Sequence, residues 1–251
     1  MGKVFDSRAG YVTVPNPDLK AEYAYNTNFG VTKLLGKRGK INANLYYTYL
    51  QNAMVRRDFI FNGQDSILYD GQLSKVEAIQ NAANAYVYGV DAELNYKLSH
   101  HFLLALYCNR QVGREELDEL DALGKIKTSP LRHSAPFFSS ASITYAISQM
   151  KIHIYANYAA AVLPADMPEE EKGKPEIYAI YAYDIDADGK LVPKYYCPEW
   201  FTFNFKAEYK INNNLSICVG LENILDRRYR SYSSGIVAPG RNFILSLQTN
   251  F

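Results

Sequence analysis

Apolar and polar residues alternate with a period of two along much of this chain, most clearly from Trp200 onward. One face of that stretch carries Phe201, Phe203, Phe205, Ala207 and Tyr209, and the other carries Thr202, Asn204, Lys206 and Glu208. This period is typical of β-strands, whose successive side chains point to opposite faces. Comparable segments predict nine strands, at about 22–34, 41–55, 81–98, 102–112, 136–147, 151–161, 200–209, 215–222 and 241–251.

The connections between these segments alternate in length. Short ones lie at about 35–40, 99–101, 148–150 and 210–214, and long ones at about 56–80, 113–134, 162–199 and 222–240. Outer-membrane barrels show this alternation, because their periplasmic turns are short and their external loops are long. Most segments also supply the ~9–11 residues that a tilted strand needs to cross the hydrocarbon. We therefore predict an all-β fold, an antiparallel transmembrane β-barrel with its apolar face toward lipid.

Composition is compatible with a membrane barrel and with a soluble β protein alike, and it weighs against other functions. The chain has 22 Tyr, a residue that suits the boundary between oil and water. Its 27 basic and 26 acidic residues give a net charge of +1, so we expect no nucleic-acid partner. The three Cys form no CxxC pair, and no nucleophile elbow, phosphate-cradling glycine loop or zinc signature is present. We therefore predict neither an enzyme nor a cofactor.

Two features indicate that the chain is a piece of a larger barrel. Bacterial single-chain barrels normally have an even number of strands, whereas nine strands are predicted here. Residues 1–11 contain Lys3, Asp6 and Arg8 and lack the apolar core of a signal peptide. We expect residues 1–19 to be an external lead-in, with a signal peptide and any plug domain absent from the chain.

Four short motifs, in order, resemble sequence features of TonB-dependent receptors. Residues 15–22 resemble "NPDLKPE", residues 86–94 a "GVELEL"-type strand, residues 221–229 "NLFDKRY" and residues 239–243 "PGR-x-F". Ala21 stands where that family has Pro, and Asp91 stands where it has Glu. The terminal Phe251 resembles the aromatic residue that the barrel-assembly machinery reads in such proteins.

The resemblance implies a barrel of roughly 22 strands with a plugged lumen, of which these nine would be the last. It implies a place in the outer membrane of a Gram-negative bacterium, among lipid and lipopolysaccharide, with TonB acting through the missing plug. The expected function is energised import of a small-molecule ligand, such as an iron chelate, haem, cobalamin or a glycan. A passive porin, an outer-membrane enzyme barrel and a soluble β-rich binding protein are the alternatives.

The long connections contain the candidate ligand residues. Arg227, Arg228 and Arg230 at an outer mouth suit an anionic chelate or a sugar, or else they order the loop or contact lipopolysaccharide phosphates. The loop at 162–199 is rich in aromatic residues, which suit capture of a large, partly apolar ligand or packing of a hairpin. These residues are Tyr178, Tyr181, Tyr183, Tyr195 and Tyr196.

The same loop carries an acidic pattern that resembles the start of a calcium loop. Asp184, Asp186 and Asp188 alternate ahead of Gly189, but Tyr195 occupies the position where an EF-hand requires Glu. The pattern therefore does not predict an EF-hand, and a weak external cation site stays open.

Overall fold

The computed structural model describes residues 6–8, 10–81, 84–120, 124–172, 178–186 and 189–249. Within these ranges the chain forms a 3-10 helix (Pro164–Asp166), a short α-helix (Glu169–Lys172) and many strands. No helix among the described residues is long and apolar enough to cross a membrane. The strands in chain order are β1 (Asp6–Arg8), β2 (Tyr11–Val14), β3 (Tyr23–Leu35), β4 (Gly39–Gln51), β5 (Met54–Asp58), β6 (Ser66–Tyr69), β7 (Gln72–Asn81), β8 (Asn84–Lys97), β9 (Phe102–Leu120), β10 (Ile126–Pro130), β11 (Phe138–Ile147), β12 (Met150–Ala159), β13 (Ala179–Ile185), β14 (Leu191–Tyr196), β15 (Trp200–Lys210), β16 (Leu215–Glu222) and β17 (Asn242–Thr249).

The chain folds into two compact units, each built from several segments. The first, the loop unit, consists of Met1–Asn26, Thr48–Val87 and Arg114–Ser129. The second, the barrel unit, consists of Thr27–Tyr47, Tyr88–Gly113 and Pro130–Phe251.

A large sheet follows the order β17-β16-β15-β12-β11-β9-β8-β4-β3, with β10 attached to β9. The pairs from β9 to β17 are antiparallel, and β12 pairs with β15 over its whole length. Each strand along the path overlaps one predicted segment, and the prediction of an all-β antiparallel fold is confirmed. The segment predicted at 41–55 differs, because Asn52 has a φ of 56° and separates β4 from β5.

The exposure of side chains in the barrel unit is the reverse of that in a soluble sheet. On β15, Phe201 and Phe203 are 40% and 45% exposed, whereas Thr202 and Asn204 are 3% and 4% exposed. Because residues opposite each other in an antiparallel register share a face, Ile154, which faces Phe205, lies on the same apolar outer face. An apolar outer face with a polar inner face is the arrangement of a membrane barrel.

Tight turns join neighbouring strands within the barrel unit, at 36–38, 98–101, 148–149 and 211–214. Gly36 and Ser148 take positive φ values of 59° and 47° there. In the last turn, the backbone N–H of Asn214 donates to the side-chain oxygen of Asn212 at 2.9 Å. Asn and Gly are the residues that such turns favour, since they tolerate left-handed backbone and cap local N–H groups.

The loop unit has a sheet and an apolar core of its own. Strand β2 pairs in parallel with β7, while β5 and β6 pair with β7 in antiparallel fashion. The core consists of Val12, Val14, Val76 and Ala78, with Phe59, Phe61, Ile67 and Tyr69 packed against it. The lead-in at 1–19 and the connection at 56–80, which we predicted as loops, thus contain paired strands.

Candidate functional site

Amides satisfy the acidic side chains on the inner face of β8. Asn42 Nδ2 donates to Glu93 at 3.1 Å, and Asn44 Nδ2 donates to Asp91 at 3.0 Å. Asn95 adds a second donor to Glu93 at 2.5 Å. Carboxylates that accept from neutral amides form a polar wall that is suited to lining a wet lumen.

Gly89, the glycine of the motif at 86–94, permits close packing of an aromatic ring against the inner wall. A Cβ at this position would collide with the side chain of Tyr46 and would lie 2.6 Å from the carbonyl oxygen of Arg110. The Tyr46 hydroxyl accepts from Asn109 Nδ2 at 3.1 Å and donates to Gln111 at 3.2 Å. The glycine of this motif is therefore required for the packing of Tyr46 against β8.

Asn223, in the motif at 221–229, fixes the exit from β16. It is 4% exposed and has a φ of 47°, which Asn tolerates better than most residues. Its Nδ2 donates to the carbonyl oxygens of Arg227 and Pro239 at 2.8 and 3.1 Å, and its Oδ1 accepts from the Arg227 N–H at 2.9 Å. Its own N–H donates to Asn204 Oδ1 at 2.9 Å.

Asp226 completes this connection by holding the entry to β17. Its Oδ1 accepts from the backbone N–H of Arg241 at 2.7 Å, and Arg241 Nε donates to the Ile224 carbonyl at 3.0 Å. A Cβ on Gly240 would lie 2.7 Å from the same Asp226 oxygen, so a larger residue would displace it. Two of the four motifs therefore close one loop.

Apolar residues of the long connections build a small core within the barrel unit, the loop core. It consists of Val162, Met167, Tyr178 and Cys197, with Tyr195 and Tyr232 packed against it. Val162 and Cys197 exchange backbone hydrogen bonds at 2.9 and 3.0 Å. Burial raises the pKa of the Cys197 thiol to about 11, so this side chain is an uncharged core residue at neutral pH.

A fully buried carboxylate, Glu171, lies beside the loop core. It accepts from Arg132 Nε at 3.0 Å and from the Tyr178 hydroxyl at 2.6 Å. Burial, and then the hydrogen bond to Glu171, raise the pKa of Tyr178, so the phenol stays protonated and keeps donating. Through Glu171, Arg132 in the connection before β11 is linked to Tyr178, just ahead of β13.

Glu171→Ala is expected to loosen this connection. Removing the carboxylate leaves the buried Tyr178 hydroxyl without its acceptor, which costs about 2 kcal/mol. Hydrogen exchange of amides at 162–168 should then become roughly 30-fold faster, since local opening sets their protection. Asp166→Ala, at an exposed carboxylate in the same segment, is the matched control. Equal exchange in the two variants would contradict the assignment.

The structure brings four of the sequence-predicted ligand residues to one cleft of about 350 Å³. Arg227, Arg228, Arg230 and Tyr178 line it, together with Glu199. The Arg227 guanidinium lies 6.0 Å from the centre of the Phe201 ring, on the apolar outer face.

The other predicted tyrosines do not converge on this cleft. Tyr181 and Tyr183 lie on β13, in a hairpin with β14, and are 55% and 59% exposed. Tyr181 makes an edge-to-face contact with Tyr196, their ring centres 5.6 Å apart, while Tyr195 packs on the loop core. Tyr196 thus has a packing contact within the hairpin, and a ligand role of these tyrosines stays a prediction.

Two members of the acidic pattern make contacts within this hairpin. Asp184 pairs with Lys194 at 2.7 Å, and that hydrogen bond lowers its pKa. Asp186 accepts from the N–H of Lys190 at 2.8 Å. Asp188 and Phe251 lie outside the described residues. No group of three or more His, Cys, Asp or Glu side chains suited to a metal ion occurs among the residues that are described.

A second cavity, of about 420 Å³, was not predicted from the sequence. Its lining includes Tyr107, Phe138, Trp200, Tyr232 and His133. The register opposes Phe138 and Trp200 to the same residue, Ala159, so both lie on the inner face. In the sequence, this cavity is indicated only by aromatic residues such as Phe138 and Trp200, which occupy polar-face positions near strand ends. A cavity of this size, with aromatic walls and a few polar groups, is typical of a small-molecule site.

Comparison with known proteins matches residues 2–224 to the family model "TonB dependent receptor-like, beta-barrel". A search of curated proteins gives no match. Solved structures with a similar fold include the copper transporter OprC (14% identity, TM-score 0.63, 93% of this chain and 32% of that one). A mutant of the ferric enterobactin receptor PfeA from Pseudomonas aeruginosa has 15% identity and a TM-score of 0.64, over 96% of this chain and 33% of that one.

The siderophore receptor PirA from Acinetobacter baumannii is similar at 17% identity with a TM-score of 0.64, over 96% of this chain and 33% of that one. The 251 residues therefore span about a third of the length of these solved chains. At such identities the likeness shows the fold.

Proposed function

The chain belongs to the TonB-dependent receptor-like β-barrel family, and we propose that it is part of an outer-membrane receptor that imports a scarce small-molecule ligand with energy delivered through TonB. Members of this family are transport receptors of the Gram-negative outer membrane. The observation that carries the proposal is the apolar outer face and polar inner face of the barrel unit, which suit a lipid surround and a wet lumen. The proposal requires a plug and further strands outside these 251 residues.

An iron chelate is the ligand class that we propose first, with haem, cobalamin and glycans as the alternatives. The similar structures include receptors named for ferric enterobactin and for siderophores. The inner cavity with Tyr107, Phe138 and Trp200 offers aromatic surface to a planar or partly apolar chelate. Tyr181 and Tyr183 are exposed on their hairpin and are further candidate contacts. The proposal also includes lipid, lipopolysaccharide and, through Phe251, the barrel-assembly machinery as partners.

Uptake measurements in cells test this function. A strain that lacks the receptor gene, complemented with the full-length protein, should accumulate one of a panel of radiolabelled iron chelates, haem, cobalamin and oligosaccharides. Accumulation should disappear when TonB is deleted, because the import is energised. Uptake that persists without TonB would indicate a passive porin, and a protein found outside the outer membrane would contradict the proposal.

Trp200→Ala is expected to weaken binding of that substrate about tenfold, or roughly 1.4 kcal/mol, which is a typical loss for a buried aromatic contact. Trp200 stacks on Tyr229 with ring centres 4.2 Å apart, so its ring is held in place before a ligand arrives. The control is Phe203→Leu on the outer face of the same strand. Titration of the purified receptor with the imported ligand measures the effect. Equal affinity in both variants would show that the inner cavity does not bind the ligand.

A further inference from the structure

The cleft at the loop end of β15, the rim cleft, has an unusual charge. Three arginines line it, Arg227, Arg228 and Arg230, against the single carboxylate of Glu199. Two tyrosines, Tyr178 and Tyr229, complete its polar lining. Guanidinium groups are planar donors that match the oxygens of phosphate, so this excess of positive charge suits a phosphate group.

The rim cleft lies where the apolar outer face ends. Arg227 both lines the cleft and lies over the ring of Phe201, the first outward residue of β15. Phe203 follows on the same face, and Leu225, beside the arginines in sequence, is 54% exposed. An arginine at the edge of an apolar belt lies at the level of the lipid headgroups. The acyl chains of the lipid then lie against the belt.

The backbone that carries these arginines is held rigidly, while two of the side chains are available. Asn223 binds both the N–H and the carbonyl of Arg227, so the cleft is formed before any ligand binds. Within the described part of the chain, the Arg227 and Arg228 guanidinium groups make no hydrogen bond or ion pair, and both residues are exposed. A preformed site whose guanidinium groups lack an anionic partner loses little conformational entropy when it binds an anion.

We propose that the rim cleft binds the phosphate of a phosphorylated glycolipid in the outer leaflet, with the lipid's acyl chains against Phe201, Phe203 and Leu225. The inference rests on the proposed function, because it requires the barrel unit to lie in the outer membrane. A soluble anionic ligand would use the same arginines without needing the apolar belt. The continuity of cleft and belt favours the lipid.

The test uses the full-length receptor, purified in mild detergent and incubated with bis-phosphorylated lipid A. Native mass spectrometry counts the bound lipid in the wild type, in the double variant R227Q/R228Q and in K210Q. Lys210 is an exposed cation at the other end of β15 and is the matched control. We expect retained lipid to fall about tenfold or more in the double variant and to stay unchanged in K210Q, because charged contacts to phosphate are the strong ones.

Two further arms separate the sources of phosphate. Dephosphorylated lipid A should not be retained, and soluble glucosamine phosphate should not compete at concentrations equal to the lipid. Equal retention in the wild type and the double variant, retention without phosphate, or full competition by the soluble compound would each overturn the proposal. A heat-induced mobility shift on gels verifies that the double variant is folded.

Lipid retention and ligand uptake are measured separately, so failure of the lipid site can be distinguished from failure of import. A receptor that takes up its ligand in a TonB-dependent way but fails the lipid test contradicts only the lipid site. A receptor that retains lipid A through Arg227 and Arg228 but imports nothing contradicts the import function and leaves the site standing.

Discussion

Asn223→Ala is expected to destabilise the folded receptor by about 3 to 4 kcal/mol. The Asn223 side chain makes three hydrogen bonds to backbone groups, at 2.8, 3.1 and 2.9 Å, from a buried position. Each is worth about 1 kcal/mol, and the left-handed φ of 47° adds strain for Ala. The loss is large because Asn223 is only 4% exposed, so solvent replaces the missing partners poorly.

Urea unfolding of the receptor in lipid vesicles measures this effect. Asn213→Ala, in the exposed turn at 211–214, is the matched control and should leave the unfolding midpoint unchanged. Asn223→Gly removes the hydrogen bonds but relieves the backbone, so it should recover only about 1 kcal/mol. If Asn223→Ala unfolds at the same urea concentration as Asn213→Ala, the hydrogen bonds of Asn223 do not stabilise the folded receptor.

Leu245→Arg is expected to cost about 2 to 4 kcal/mol in the membrane. Leu245 lies in the middle of β17, is 63% exposed and faces Val219, so its side chain points to the outer face. In a soluble protein, an arginine at so exposed a position would change stability by less than about 0.5 kcal/mol. The substitution therefore distinguishes lipid from water as the surroundings of this face.

Ser246→Arg is the matched control, since it introduces the same side chain at almost the same depth but on the inner face. Ser246 lies opposite Cys218 and is exposed. We expect it to leave folding nearly unchanged, because arginine there meets a wet lumen. Folding yield into vesicles and the urea midpoint of both variants provide the measurement. Equal stability of the two variants would exclude lipid contact at Leu245.

The motif at 221–229 combines two kinds of residue. Asn223 and Asp226 face backbone groups of their own loop and hold it closed. Arg227 and Arg228, between these anchors and the aromatic Tyr229, project into the rim cleft. The resemblance in sequence cannot separate these two roles, because both pairs of residues belong to the same short motif. Their substitutions should differ, because the first pair affects folding and the second affects lipid retention.

The ligand candidates show how far local sequence reaches. The arginines and tyrosines of the long connections were evident from the sequence, but the cleft joins Tyr178 to Arg227, which are far apart in the chain. The inner cavity was missed, because Tyr107, Phe138 and Trp200 come from three strands that only the sheet order brings together. The burial of Glu171 could not be predicted from the sequence. A run of acidic residues predicts an exposed segment, and only tertiary packing buries one of its members.

The alternation of apolar and polar residues by itself determined the strands, their two faces and the tight turns of the barrel unit, because a period of two and a turn residue are local properties. Only the tertiary structure decided the parallel pairing of Tyr11 with Lys75, the loop core and the cleft of arginines. Those features depend on contacts between residues distant in sequence, whose partners are selected by packing and by the loss of chain entropy on closing long loops.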